Sequence, residues 1–307
     1  MTEKSDLIKK VISEYDCSLE IKSISRPNDG YSNSVHLITF ANNSQVELVV
    51  KFTKPDEVTE VIFYRLTNES QFPVPKILKS AENYYIASKL SGVSLSQVLD
   101  SVTHEQRVDI YRQLGAFVGQ LHAKYTFDKC GYLNNRYFHS WKEMFRHIIE
   151  KQILQFKGTI FEELGNKIHQ YLTRNIHIID YEITPRLLHM DLHCGNILVS
   201  NGQLTGILDA EDALIGHNEY ELMRIEKGHF EGNDYRDDFL SSYTKYVKLD
   251  DGYEQRRWFY SLSREIVGMQ CLIRFGEQYA QTGSVEEEKK FIEDKIQSIV
   301  DSFFRSE

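Results

Sequence analysis

The stretch LLHMDLHCGNILV, residues 187–199, sets several polar side chains between two apolar segments. His189, Asp191, His193 and Asn196 fall within eight consecutive positions. Apolar flanks of this kind predict buried strands, which hold the residues between them in a short loop of fixed position. Two kinds of site fit the pattern: a metal cluster of His, Asp and His, or a carboxylate base followed by an amide metal ligand five positions later.

A second acidic position follows at the end of the next apolar run. Asp209, in GILDAED, lies thirteen positions after Asn196, and Asn201-Gly202 between them is typical of a two-residue β-hairpin turn. Such a hairpin returns Asp209 to the base of the loop that carries Asp191. The sequence therefore predicts Asp191, Asn196 and Asp209 in one small volume. Carboxylate and amide oxygens there suit Mg²⁺, and a free aspartate can accept the proton of a hydroxyl group.

Composition and charge narrow the classes of partner. The 307 residues carry a formal net charge of −9 and 41% of them are hydrophobic, which is typical of a globular protein. This acidic balance argues against a nucleic-acid partner, and no apolar run reaches the ~18 residues that a membrane span requires. Four scattered cysteines and a charged amino terminus, unlike a signal peptide, predict reduced thiols and a cytoplasmic location.

The distribution of predicted elements indicates an α+β fold with two lobes. Short β-branched or aromatic runs over residues 19–90 predict an antiparallel sheet, interrupted by one helix at 57–68. After Gly92 the pattern is helical. We expect an N-terminal nucleotide-binding lobe over residues 1–91 and a catalytic and acceptor-binding helical lobe over residues 92–307. In the second lobe the predicted helices span 103–124, 141–156, 161–176, 219–228, 235–247, 253–279 and 285–304, and strands are predicted only at 186–188, 197–199 and 204–208.

These motifs resemble the catalytic core of the aminoglycoside phosphotransferase and choline kinase family. HMDLHCGNILV is similar to the family's HGDLHPGNILV, GILDAEDALIGHNEYEL is similar to IDWEDAGYGDPAYDL, and LGAFVGQLHAKY resembles the helix LGxxLAxLHA. The resemblance implies a two-lobed protein-kinase-like fold and transfer of the γ-phosphoryl group of ATP or GTP to a hydroxyl group. By the family pattern Asp191 is the catalytic base, and Asn196 and Asp209 are the magnesium ligands.

The chain departs from the family pattern at several positions of these motifs. The family's Gly, Pro, Trp, Asp, Pro and Asp are replaced, in that order, by Met190, Cys194, Ala210, His217, Asn218 and Glu221. None of these changes removes a group that phosphoryl transfer needs. The change at His217 leaves open whether this segment contacts the substrate.

The front part of the chain supplies a candidate phosphate clamp. LVVKF places Lys51 on a predicted strand, and Glu60 begins EVIFYRL nine residues later, which resembles the family's E-x-x-FYRL helix. In kinase-like folds this lysine holds the α- and β-phosphates and is paired with the helix glutamate. Glu57 is the alternative partner of the lysine.

Two further segments are candidates for nucleotide contacts. DGYSNSVHLI resembles the family's GGxSNxxY loop, in which Gly30 permits a sharp turn and Ser32 contacts phosphate oxygens. An ordinary hairpin turn also explains that loop. The main chain from Ser88 to Leu90 would meet the adenine edge, and a plain connection between a strand and a helix is the alternative.

The acceptor is expected to be a small cation that carries a hydroxyl group. From Asp209 to Asp238 ten acidic residues stand against three basic ones. A negative wall facing the acceptor is one interpretation, and a solvated face of two helices is the other. His193, Glu211 and Asp212 are the candidate acceptor contacts, with a packing role as the alternative for His193. An aminoglycoside is favoured, and choline, ethanolamine or an amino sugar are alternatives.

Two other classes of function stay open. A catalytically silent nucleotide-binding pseudo-kinase is one, although Lys51, Asp191, Asn196 and Asp209 are all present. A metal-dependent hydrolase is the other, although the remaining histidines show no spacing typical of metal ligands. His189 is expected to pack the loop rather than to react.

Overall fold

The structure, a computed structural model, describes residues 2–27, 34–54, 58–70, 72–230, 233–280 and 282–303. In these ranges the strands are β1 Ile21–Ser25, β2 Val35–Phe40, β3 Glu47–Phe52, β4 Ile77–Ser80, β5 Tyr84–Ser88, β6 Val93–Ser94, β7 Cys130–Tyr132, β8 Arg136–Phe138, β9 Arg186–Leu188, β10 Ile197–Ser200, β11 Gln203–Ile207 and β12 Leu214–Gly216. The helices are α1 Thr2–Tyr15, α2 Thr59–Asn68, α3 Leu95–Val98, α4 His104–Lys124, α5 Trp141–Ile153, α6 Glu162–Arg174, α7 Asn218–His229, α8 Arg236–Tyr243, α9 Tyr253–Phe275 and α10 Val285–Phe303.

Two compact units make up the chain. The first unit consists of Met1–Val118, His189–Ala213 and Asp238–Ser242, and the second unit of Gly119–Leu188, Leu214–Asp237 and Tyr243–Glu307. Each unit is assembled from three segments, which differs from the continuous lobes 1–91 and 92–307 expected from the sequence. The nucleotide and acceptor roles assigned to those lobes stay predictions.

The larger sheet of the first unit is antiparallel, as the sequence predicted. Its strand order is β1-β2-β3-β5-β4. Lys51 lies on the central strand β3, opposite Val35 of β2 and Tyr85 of β5. This register places the lysine and a tyrosine side by side on one face of the sheet.

Helix α1 completes the apolar core of the first unit. Its residues Ile8, Val11 and Ile12 are buried. Val11 and Ile12 follow Ile8 by three and four positions, which places the three side chains on one stripe of the helix. The sheet residues buried with them are Ile38, Phe40, Leu48, Val50 and Ile86. We did not expect this helix from the sequence, although an apolar stripe among charged residues is typical of an amphipathic surface helix.

The predicted hairpin is present in a second, three-stranded sheet of the first unit. Strands β10 and β11 are joined by Asn201 and Gly202, whose φ angles of 52° and 73° are those of a type I′ turn. Strand β6 pairs with the other edge of β10. The N–H of Leu208 donates to the carbonyl oxygen of Asn196 at 2.9 Å. The residues just before β10 and just after β11 therefore lie side by side.

The second unit combines helices with a four-stranded sheet of order β8-β7-β12-β9. Of these strands only β9 was predicted, so the expectation that strands in this part occur only at 186–188, 197–199 and 204–208 is wrong. Strands of three residues are too short to show a recognisable alternation. Helices α5, α6, α7 and α10 coincide closely with predicted helices. None of the helices in the described part of the chain combines the length and apolar character that a membrane span requires.

Candidate active site

Lys51 is the centre of a buried cluster of charges in the first unit. Its ammonium group hydrogen-bonds Glu60 Oε2 at 2.7 Å and Asp209 Oδ1 at 2.8 Å. Glu211 Oε2 lies farther away, at 3.8 Å. Burial alone would lower the pKa of Lys51, but the carboxylates of Glu60 and Asp209 outweigh it and raise this pKa well above its ordinary value. The lysine is therefore a permanent cation beside the predicted metal ligand.

Glu60 lies in the first turn of α2 and is held by more than the lysine. Tyr64, one helical turn later, donates its hydroxyl hydrogen to Glu60 Oε1 at 2.8 Å. The hydroxyl of Tyr85 on β5 also hydrogen-bonds Glu60. Burial, followed by the nearby Glu60 charge, raises the pKa of Tyr64 and of Tyr85 well above the ordinary tyrosine value. Neither tyrosine was singled out from the sequence, although the i, i+4 spacing of Glu60 and Tyr64 was a usable signal.

The loop between β9 and β10 joins Asp191 to Asn196. The amide Nδ2 of Asn196 donates to the backbone oxygen of Asp191 at 2.9 Å and to Asp191 Oδ2 at 3.0 Å. Both amide hydrogens are used in this way, so Oδ1 of Asn196 is the atom that can bind a cation. The other carboxylate oxygen of Asp191, Oδ1, takes no part in these two hydrogen bonds.

Two residues of this site have left-handed backbone conformations. The φ angles are +72° at Met190 and +62° at Asp209. For residues other than glycine this conformation costs about 1–2 kcal/mol, and such strain clusters at functional sites. Met190 occupies the position where the family pattern has glycine, the residue that takes this conformation at the lowest cost. In this chain the buried methionine side chain offsets the backbone cost.

The two histidines of the loop have different surroundings. His189 is fully buried, its ring packs edge-on against Phe63, and its Nδ1 accepts the N–H of Asp191 at 3.3 Å, so it packs the loop as expected. His193 is exposed; its Nδ1 accepts the N–H of Gly195 at 3.0 Å and its Nε2 lies 3.6 Å from Asp191 Oδ2. Because Nδ1 is an acceptor, the ring proton is on Nε2 and points towards the catalytic candidate.

The donor set fits a hard divalent cation. Asn196 Oδ1 and the carboxylate of Asp209 are oxygen donors of the kind that Mg²⁺ prefers. The side chain of Asp209 is 40% exposed, so its carboxylate has room for a cation in addition to Lys51. Within the described ranges, no group of three or more His, Cys, Asp or Glu side chains is arranged to hold a metal ion. The His, Asp and His cluster considered from the sequence is thus not formed there.

The remaining candidate contacts to the nucleotide and the acceptor have different surroundings. Gly30, Ser32 and the alternative lysine partner Glu57 lie outside the described residues. The hydroxyl of Ser88 accepts the N–H of Lys76 at 2.9 Å, while its backbone belongs to β5. Leu90 is partly buried, and Asp212 is exposed. Partial desolvation of this largely exposed side chain, followed by the neighbouring Asp209 carboxylate, raises the pKa of Glu211.

Three carboxylates of the acidic run that begins at Asp209 belong neither to a solvated face nor to an open negative wall. Within the second unit Glu219, Glu221 and Glu226 of α7 are buried. Glu219 accepts two hydrogen bonds from Arg256, at 2.6 and 2.7 Å, and Glu221 lies 2.7 Å from His122 Nε2. Each carboxylate is thus paired inside the unit, as buried charges must be. Both interpretations of the run are wrong for these three residues.

Glu226 is the most heavily paired of the three. Arg236 Nε donates to it at 2.8 Å, and Arg257 and Tyr253 also hydrogen-bond its carboxylate. Two guanidinium groups and one hydroxyl leave little of its charge to act on a distant ligand.

His217 is a buried member of an aromatic network in the second unit. Its Nδ1 lies 2.8 Å from the hydroxyl of Tyr260, which also accepts the indole N–H of Trp141 at 2.6 Å. Its Nε2 lies 3.2 Å from the hydroxyl of Tyr181. Burial, followed by the charge of Arg256, lowers the pKa of His217 to about 3. The ring is therefore neutral and takes part in packing.

Comparison with known proteins shows which family of enzymes this chain is similar to. The sequence model of the phosphotransferase enzyme family, APH, matches residues 23–259. A curated relative is the hygromycin-B 4-O-kinase of Escherichia coli, 20% identical over 169 residues, which are 53% of this chain and 50% of that enzyme. The chain thus spans about half the length of this curated relative.

Solved structures share the fold over nearly the whole chain. A protein provisionally described as a fructosamine-3-kinase from Thermobifida fusca has a TM-score of 0.63 and 17% identity, covering 93% of this chain and 98% of its own. The GDP and kanamycin complex of APH(2")-IIIa has the same TM-score and identity, covering 95% of this chain and 98% of its own. At such identities the likeness shows the fold alone, and it confirms the predicted α+β, protein-kinase-like class.

Proposed function

Because the chain belongs to the phosphotransferase enzyme family, we propose that it transfers the γ-phosphoryl group of ATP or GTP to a hydroxyl group of a small cationic molecule. The observation that carries this proposal is the position of Lys51. Its ammonium group hydrogen-bonds both Glu60 of α2 and Asp209, which follows the β10–β11 hairpin. Phosphoryl transfer depends mainly on such positioned charges.

Each residue of the site has a separate task in this proposal. Lys51, steadied by Glu60, clamps the nucleotide phosphates, and Asp191 accepts or orients the proton of the attacking hydroxyl. Asn196 Oδ1 and the carboxylate of Asp209 would hold Mg²⁺. When bound, this ion supplies neutralisation of charge on the phosphate oxygens. Further nucleotide contacts are proposed for Gly30, Ser32 and the main chain from Ser88 to Leu90.

An aminoglycoside is the favoured acceptor. The curated relative is named for hygromycin B, and one structural relative was solved with kanamycin and GDP. His193, Glu211 and Asp212 are the proposed acceptor contacts. The buried pairing of Glu219, Glu221 and Glu226 removes these carboxylates from any field that would attract a cation.

An amino-sugar kinase is the second candidate. It is favoured by the likeness to the protein described as a fructosamine-3-kinase, which covers 93% of this chain. Choline and ethanolamine are further acceptors to test, because the family includes kinases for them.

The test combines binding with turnover. Thermal unfolding with Mg-ATP or Mg-GTP would select the nucleotide, and a coupled nucleotide-hydrolysis assay would follow with hygromycin B, kanamycin, fructosamine, glucosamine, choline and ethanolamine. Asp191→Asn should lower turnover on any acceptor by about 10²–10⁴-fold and leave the nucleotide-induced shift intact, while Asp100→Asn, at an exposed position of the first unit, should change neither. Nucleotide binding without turnover on every acceptor would favour the pseudo-kinase, and no nucleotide binding would refute the proposal.

A further inference from the structure

We propose that Tyr64 is a positioning residue that fixes the metal-binding aspartate, Asp209, through a hydrogen bond to the backbone N–H of that residue. This inference rests on the proposed function, because it assigns a task within the same site. It concerns a residue that touches neither the phosphates nor the acceptor in that mechanism.

The hydroxyl of Tyr64 has one hydrogen to donate, and the structure shows where it goes. Tyr64 is 1% exposed, and its hydroxyl lies 2.8 Å from Glu60 Oε1 and 2.8 Å from the backbone nitrogen of Asp209. The carboxylate can only accept and the backbone N–H can only donate. The tyrosine therefore donates to Glu60 and accepts from Asp209, and neither contact can be reversed.

These bonds complete a closed ring of four residues. Glu60 Oε2 binds Lys51, Lys51 binds Asp209 Oδ1, the N–H of Asp209 binds Tyr64, and Tyr64 binds Glu60 Oε1. Asp209 is thus held at two points, by its carboxylate and by its backbone. Because a closed ring of hydrogen bonds constrains each member through the others, the metal ligand and the lysine clamp are not positioned independently.

The backbone contact matters because Asp209 lies just beyond regular pairing. The last residue pair between β10 and β11 joins Ile197 and Ile207, and Leu208 still bonds Asn196. Asp209 then takes a left-handed conformation, with φ of +62°, which costs an aspartate more than a glycine. The Tyr64 hydroxyl holds the peptide group between Leu208 and Asp209 through the N–H of Asp209. It thereby fixes the direction in which the Asp209 side chain points.

Tyr85 provides a matched control. It is also buried, at 4% exposure, and its hydroxyl also hydrogen-bonds Glu60. It approaches Glu60 from β5, across from Lys51. Removing either hydroxyl therefore takes one bond from Glu60, but only the Tyr64 hydroxyl accepts the N–H of Asp209.

The experiment measures cation affinity directly. Free Mn²⁺ is followed by electron paramagnetic resonance in the presence of a non-hydrolysable ATP analogue, for the wild-type protein, Tyr64→Phe and Tyr85→Phe. We expect Tyr64→Phe to weaken Mn²⁺ binding about tenfold, which corresponds to about 1.4 kcal/mol, and Tyr85→Phe to stay within about twofold of wild type. Thermal unfolding of both variants measures their losses of stability separately, and Mn²⁺ affinity is compared at a temperature at which both variants are fully folded, so that a loss of stability alone does not lower it.

A second variant keeps the test open if Tyr64→Phe does not fold. 4-Aminophenylalanine at position 64 retains a donor to Glu60 but is a poor acceptor for the N–H of Asp209, so it should also weaken Mn²⁺ binding. Equal Mn²⁺ affinity in the Tyr64 and Tyr85 variants would overturn the inference and leave the proposed function standing. If the wild-type protein binds no Mn²⁺ with the nucleotide analogue, the proposed function itself fails, and that outcome is recognised before any variant is compared.

Discussion

The burial of His217 makes the folded state sensitive to mild acid. An ordinary histidine takes up a proton near pH 6.5, whereas folded His217 stays neutral down to about 3. Between these values the unfolded chain binds a proton that the folded chain does not. The contribution of His217 to stability is therefore complete above pH 6.5, falls as the pH decreases, and levels off below about 3.

The magnitude follows from the same two values. Each pH unit in this interval costs about 1.36 kcal/mol, so at a pH of about 5 the loss of unfolding free energy due to His217 is about 2 kcal/mol. The charged and titratable groups that act on the ring are Arg256, Asp250, Arg186, His122 and Glu219. Glu219 is already paired with Arg256 and does not provide a free counter-charge for a protonated ring.

Urea unfolding at two pH values measures this effect. Wild type and His217→Gln are compared at a pH of about 7.5 and of about 5, with His177→Gln as a control at an exposed position. We expect His217→Gln to be less stable than wild type near neutrality, since it loses bonds to two tyrosines, but to lose about 2 kcal/mol less on acidification. His177→Gln should follow wild type.

Equal acid losses in wild type and His217→Gln would refute the reasoning. That result would mean that His217 takes up a proton in the folded state as readily as in the unfolded chain. The ring would then be open to solvent or to a bound anion, and the substrate role left open by the sequence would return.

Two further perturbations test the loop and the clamp. A Cβ added at Gly195 would lie 2.7 Å from Cε1 of His193, so Gly195→Ala should displace that ring from Asp191. We expect this variant and His193→Ala to lower turnover by the same factor, about tenfold. Clearly unequal losses in steady-state rates would contradict the position assigned to the His193 ring. Lys51→Met should lower the free energy of unfolding by about 3–5 kcal/mol, because it leaves Glu60 buried without its cation. In urea unfolding, the double variant with Glu60→Gln should recover part of that loss. If the effects of the two changes simply add, the pair is not coupled.

The positions of the candidate catalytic and metal-binding residues could be predicted because they depend on a short stretch of sequence. Asp191, Asn196 and Asp209 lie within nineteen positions, with a turn between them that only a few residue types can form. The structure places the amide of Asn196 on Asp191 and the carboxylate of Asp209 on Lys51. The Lys51–Glu60 pair was equally accessible, because strand and helix follow each other directly.

What could not be predicted depends on partners distant in the chain. Glu219 can be buried because Arg256, 37 positions later, donates two hydrogen bonds to its carboxylate. The sequence around Glu219 does not predict this pairing. From the sequence Tyr64 is only one residue of an amphipathic helix. Its hydrogen bond comes from the backbone N–H of Asp209, 145 positions later. The three-residue strand β12 exists only because β7 and β9 come from either side of it. Such features follow from tertiary contacts, which outweigh local propensity.

The amino-terminal helix shows that the region matched by the family model does not contain the whole apolar core of the first unit. The family match begins at residue 23, but Ile8, Val11 and Ile12 fill the same apolar cluster as Phe40 and four neighbouring sheet residues. A shortened protein that contains only the matched region would lack α1, and the apolar face of the five-stranded sheet that α1 covers would be in contact with water. Exposed apolar surface on a sheet promotes association of chains. Recombinant versions intended for assays should therefore keep every residue from the start of α1.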